Sequence, residues 1–512
     1  MLKALERHIP SARLLLEEKM GAEPDTCLKA ADLWRKSAPH SFEFLCVFGL
    51  SAPLYALARS WLDENRERRL VFIEEKASVL SSLLEDEDAI LLLNDLRVKI
   101  YYLESPLQSE LIAKKVAWQA VFRKLEIFSL ADTSTAAQFQ EELKLCHRAA
   151  FLLLSEASDW GVSSLRNARV NSQKPSRSGL GLGGKFAGIP AVIVGAGPSL
   201  EKNGRFLREL QDRALLLAAG SALNILDIEP HFAASIDAAA PYRQFKLQKS
   251  MEIPFCYQNR MNLENFSLVH GEPLLFPDGN SAAIDWIQGE TGPFDAGWTV
   301  GNFLTQLAVL FGCNPIIFVG MDLCYKKRQK YAHLETETSN GLIEAENWEG
   351  KKVWTQGDWL MAGQWTETLA RRHPERLFIN ATEGGLGFKA PILQKSLQSL
   401  LKTDLSKQFD LRGKVHAEIQ MLSPHTDCRF DLWDASMQRC EQIVADMKKF
   451  QMRDLEAEIV YQKLLMPLWQ IWKPVFEREL DLDLQPLQFS EKMQLNQILF
   501  FQQVLQEHLH GE

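Results

Sequence analysis

The sequence predicts an α/β protein built on a doubly wound, Rossmann-like parallel sheet, with a smaller α/β unit before it and a helical region after it. Three observations carry this reading. Between about residues 190 and 390, short apolar runs alternate with helical patterns, as in strands buried on both faces by crossover helices. The first of these runs, "AVIV" (191–194), leads through Gly195-Ala196-Gly197 into a helix. Beyond about 391 the strand-like runs cease, and apolar residues recur at helical spacing.

Taken in order, residues 1–130 read as an N-terminal Rossmann-like unit. "FEFLCVFGL" (42–50), "RRLVFIEE" (68–75), "KIYYLES" (99–105) and "KLEIFSL" (124–130) are its strand candidates. Glu74 and Glu75 end the second strand, where a ribose-binding acid would sit, but the first turn carries one glycine only. Residues 131–189 read as a helical connector followed by "NSQKPSRSGLGLGGKFAGIP" (171–190), a Gly/Ser-rich linker or a flap. The central region, 190–390, adds "ALLLAA" (214–219), "FAASID" (232–237), "IPFCYQ" (253–258), "PLLF" (273–276), "PIIFVGMD" (315–322) and "RLFIN" (376–380). Residues 391–512 form the helical region, where Pro467 and Pro474 are expected to interrupt a long stretch.

Composition bounds the function. A chain of 512 residues exceeds one core, and roughly two to four domains are expected. A net charge of −9 argues against a broad nucleic-acid surface. The eight cysteines are scattered, with no Cys-x-x-Cys pair, as in a cytoplasmic protein with reduced thiols. No run of about 18 uncharged apolar residues occurs, so no membrane span is expected. The acids and histidines show no clear metal cluster.

The glycine turn resembles a dinucleotide site but fails two tests. Leu200 stands where the third glycine belongs, and the second central strand ends in "AAGSA" (218–222), without a ribose acid. Gly195 and Gly197 let a backbone approach an anion. Pro198 suits a first helical turn, and Ser199 adds a hydroxyl. A mononucleotide phosphate is the expected ligand.

"PAVIVGAGPSLEKN", "GSALNILDIEPHFAASID" and "GWTVGNFLTQLAVLFGCNPIIFVGMDLCY" resemble, in that order, the motility-associated factor family. Those proteins are bacterial glycosyltransferases that attach nonulosonic, sialic-acid-like sugars to flagellin Ser/Thr. Their central domain is described as hydroxymethylpterin-pyrophosphokinase-like, and its loop is similar to one in sialyltransferases that bind cytidine monophosphate (CMP). The resemblance implies a CMP-sugar donor as co-substrate, a protein acceptor, and Gly195, Gly197, Pro198 and Ser199 at the donor phosphate. Ser221 and Asp237 fall at strand ends where ligands bind, and Thr299 either caps a helix or holds the nucleotide.

Asp322, Tyr325 and His333 are the catalytic candidates, with Asp322 or His333 as base. No cofactor is firmly implied. Mg²⁺ belongs to the alternative of an ATP-dependent pterin diphosphotransferase, which uses more than one acid near "SIDAAAPY", where this chain offers Asp237 alone. A third reading is a non-catalytic nucleotide-sugar-binding or assembly protein. Because Ser221, Asp237 and Thr299 are not aromatic, the crevice is expected to favour a pyrimidine over adenine.

Overall fold

The computed structural model describes residues 5–9, 26–83, 89–239, 252–279, 281–289, 294–325, 329–331, 334–335, 342–425 and 430–446, with short stretches between 449 and 503. The chain divides into two compact units, residues 1–155 with 471–497, and residues 156–470 with 498–512.

The first unit holds a four-stranded parallel sheet of β1 (Phe44–Phe48), β2 (Arg69–Glu74), β3 (Val98–Tyr102) and β4 (Leu125–Ser129), in the order β3-β2-β1-β4. Glu74 is buried, and its carboxylate accepts the Leu50 and Lys76 N–H groups, each at 2.8 Å. The acid that resembles a ribose ligand thus pins the turn after β1.

The second unit is organised by a nine-stranded sheet. Its strands are β5 (Arg177–Ser178), β6 (Ala191–Val194), β7 (Leu215–Ala219), β8 (Phe232–Ser235), β9 (Phe255–Tyr257), β10 (Pro273–Leu275) and β11 (Ile316–Val319). Two hairpins of short strands follow, β12 (Gln329–Tyr331) with β13 (Leu334–Glu335) and β14 (Ile343–Glu346) with β15 (Lys352–Thr355). The sheet is then completed by β16 (Phe378–Asn380) and β17 (Leu393–Gln394). The order is β17-β16-β11-β6-β7-β8-β9-β10-β5, with every pair in this sheet parallel. Alternate residues feed two cores. Ile193, Leu217, Phe232 and Phe318 point to one, and Val192, Leu216, Ala233 and Val319 to the other. Both faces being apolar is why these strands read as continuous hydrophobic runs.

Three sequence expectations are corrected. The strands do not cease at 391, because Leu393–Gln394 adds an edge strand. The 171–190 segment supplies edge strand β5 and core residues Leu182 and Phe186, both fully buried. Its Gly184, Phe186 and Gly188 N–H groups donate to the carbonyls of Leu310, Phe311 and Gly312. Glycine there serves contact rather than looseness, since a Cβ on Gly179 would lie 2.2 Å from the Phe276 ring. Finally, helix Met466–Glu479 starts beside Pro467 and runs through Pro474. Five cysteines (46, 256, 313, 324 and 440) are buried and unbridged.

One buried histidine couples this fold to pH. His231 accepts the Leu216 N–H on Nδ1 at 2.9 Å, and burial together with Arg412 pushes its pKa down to about 4. The unfolded chain therefore binds the extra proton between about pH 6.5 and 4, so stability is full above that window and falls as pH drops through it. The expected loss is on the order of 3 kcal/mol. Urea unfolding at pH 7.5 and 5 should show His231→Asn with a shallower pH dependence than the parent, and equal slopes would remove His231 as the source.

Candidate functional site

The chain leaves β6, steps outward through β7 to β10, then returns to place β11 on the other side of β6. The carboxyl ends of β6 and β11 therefore form the topological switch point, where open α/β sheets bind ligands. A cavity of about 290 Å³ opens there.

Gly195 and Gly197 line it from the end of β6, Ser221 from the end of β7, Asp237 from just past β8 and Asp322 from just past β11. Thr299 enters at the start of helix Val300–Leu310. Six residues named from separate stretches of sequence thus meet in one place. Pro198 and Ser199, next in the chain after Gly197, are not lining residues. Tyr325 is not a lining residue; it is buried, with its ring 5.1 Å from that of Trp359, which does line the cavity. His333 lies outside the described residues.

The glycine loop is tied to protein groups. Gly195 N–H donates to Val319 O and Gly197 N–H to Gly320 O, both at 2.9 Å, which extends the β6–β11 ladder past the strand ends. Ser199 donates its hydroxyl to Asp322 Oδ2 at 2.6 Å, and its N–H lies 3.2 and 3.3 Å from the two carboxylate oxygens. A Cβ on Gly195 would meet Gly320 O at 2.4 Å, and one on Gly197 would meet Asp322 Oδ2 at 2.1 Å. The glycines are needed for a close approach, and what approaches is the β11 loop. Asp322, only 6% exposed, accepts the Ser199 N–H and hydroxyl that the resemblance assigns to a donor phosphate.

Thr299 fills the capping role and also stands on the cavity wall. Its hydroxyl accepts Asn302 N–H at 3.2 Å. The first N–H groups of a helix have no intrahelical acceptor. Val300 and Gly301, at the start of this helix, are lining residues.

Sequence reading missed Trp298, Asp358 and Trp359, all on the cavity wall. The pyrimidine expectation considered only Ser221, Asp237 and Thr299, and Trp298 and Trp359 add two aromatic residues to the same wall. Asp237, Asp322 and Asp358 make the wall acidic, and no Lys, Arg or His is among the described lining residues. Among the described residues no group of three or more His, Cys, Asp or Glu is placed to hold a metal ion. Burial pushes the Cys324 thiol up to about 12, which keeps it an inert lining group.

Two buried asparagines were also missed. Asn203 donates to the carbonyls of Ala381 and Thr382, each at 3.1 Å, behind the Ser199 turn. Asn302 accepts Trp298 N–H at 3.0 Å and donates to Ala362 O at 3.1 Å and Thr366 Oγ1 at 2.9 Å. It joins the Trp298–Thr299 turn to helix Gly357–Arg372, which carries Asp358 and Trp359. Asn302→Ala should lower unfolding free energy by about 1–3 kcal/mol and weaken ligand binding. An unchanged denaturation midpoint would remove it as the tie between these walls.

Residues 164–328 match the family of 6-hydroxymethylpterin diphosphokinase MptE-like proteins. The whole chain is similar in structure to the MAf glycosyltransferase from Magnetospirillum magneticum AMB-1, with a TM-score of 0.56 and 17% sequence identity. That likeness covers 98% of this chain and 87% of the other. No curated protein matches the sequence. Both parts of the resemblance read from the sequence are borne out, the MptE-like segment and the fold of a MAf protein. No helix among the described residues is long and apolar enough to cross a membrane.

Proposed function

We propose that this chain is a glycosyltransferase that moves a nonulosonic sugar from a CMP-activated donor to a protein Ser/Thr hydroxyl, as motility-associated factors do to flagellin. The observation that carries the reading is the switch-point cavity, where Gly195, Gly197, Ser221, Asp237, Thr299 and Asp322 converge. Its volume lies at the small end of ordinary ligand pockets, about 300–1,000 Å³, which suits one nucleoside and its phosphate better than a dinucleotide.

Within it, the donor phosphate faces the opening of helix Val300–Leu310, where the Val300 and Gly301 N–H groups and the helix dipole favour negative charge. The three carboxylates are acceptors for sugar and acceptor hydroxyls rather than for the phosphate. Asp322, held in place by Ser199, takes the proton of the attacking hydroxyl. Trp298 and Trp359 are the aromatic residues on the wall that supply apolar contact to the base or the sugar.

Sugar transfer needs no metal in this scheme. The family match also keeps an ATP-dependent pterin diphosphotransferase in view, and Mg²⁺ separates the two. CMP should raise the melting temperature more than AMP or ATP does, with or without Mg²⁺, and ligand at about 100 times its Kd stabilises by roughly 2.7 kcal/mol. A larger, Mg²⁺-dependent shift with ATP would replace sugar transfer by the diphosphotransferase. No shift with any nucleotide would leave a protein of this fold without the catalytic role.

A further inference from the structure

The first unit has an opening of its own, about 690 Å³ in volume, well inside residues 1–155. One wall is residues 124–127 of β4 and its approach. The other is a single stripe of helix Ser134–Asn171, running from Gln140 through Lys144 and Arg148 to Phe151.

β4 is the edge of its sheet. Lys124 O accepts Phe44 N–H, and Leu130 N–H donates to Phe48 O, so the even-numbered residues bond to β1. In a parallel ladder the residues between them turn their N–H and C=O groups the other way. Leu125 and Ile127 therefore present main-chain donors and acceptors to the opening, and among the described residues no strand pairs with that edge. From Gln140 to Phe151 the helix rises about 16 Å, the length of roughly five residues of extended chain.

The charge on this surface is one-sided. Among the described residues Lys124, Lys144 and Arg148 stand against Glu126 as the only lining acid, although Lys144 also meets Glu141 at 2.8 Å outside the groove. His147 adds no charge at neutral pH, since burial lowers its pKa despite its contact with Ala120 O at 3.1 Å. At the far end Phe151 is 53% exposed, an apolar surface with room for a side chain.

We propose that this groove binds an extended segment of a partner protein, alternating acidic and apolar residues, which adds to β4 as a fifth strand. Main-chain bonds to Leu125 and Ile127 hold the segment, its acids meet Lys124, Lys144 and Arg148, and an apolar residue covers Phe151.

The test uses the full chain and a fluorescent heptapeptide of alternating aspartate and leucine, read by anisotropy. Saturable binding is expected. It should weaken at least about tenfold in Lys144→Glu/Arg148→Glu and similarly when alternate peptide amides are N-methylated, which blocks strand pairing without touching the protein. A lysine–leucine counterpart should stay at background. Equal binding of the acidic and basic peptides, full binding of the N-methylated peptide, or no binding of the acidic one would each overturn the proposal.

Discussion

Asp322→Asn should lower turnover by a factor on the order of 10² or more while donor binding survives. The carboxylate sits just past β11, almost buried, and is oriented by the Ser199 hydroxyl at 2.6 Å and the Ser199 N–H. Asparagine keeps the size and one acceptor oxygen, so the Ser199 contact and the fold are retained. What it lacks is the basicity needed to take a proton. Steady-state kinetics with the CMP-sugar donor and calorimetry of CMP binding separate the two effects. Activity within about twofold of the parent would make Asp322 a brace for the Ser199 turn and move the base elsewhere. A matched Ser199→Ala variant should lose less activity, since it removes the orienting hydroxyl and leaves the carboxylate.

Gly197→Val should damage both stability and binding. The new Cβ would lie 2.1 Å from Asp322 Oδ2 and 2.7 Å from Gly320 O. The second contact is with backbone, and that carbonyl already accepts the Gly197 N–H at 2.9 Å, so it has little freedom to retreat. Overpacking of this kind costs about 1–3 kcal/mol, and the strain falls on the loop that places Asp322. The urea midpoint should drop at unchanged slope, and the CMP-induced melting shift should disappear. An unchanged midpoint with an intact shift would mean that the β6 and β11 loops separate readily, and the close-packed account of the switch point would fail.

The sequence by itself determined the strands and the loops that follow them. Seven central runs became strands because a parallel strand covered on both faces must be apolar at consecutive positions, and that pattern survives without knowledge of partners. The loop after β6 and the acid after β11 were legible because glycines and an aspartate directly after an apolar run stand out within a single local stretch. Two-residue strands such as β5 and β17 left no periodic trace. Neither did Trp298, Asp358, Trp359, Asn203 or Asn302, since a single aromatic or polar residue in a helix or turn has no pattern to betray its neighbours. The glycine pair was recognised, yet its partner was not. Only the return of β11 beside β6 shows that Gly195 and Gly197 make room for Gly320 and Asp322, because contact between distant stretches follows from the strand order, which no local stretch encodes.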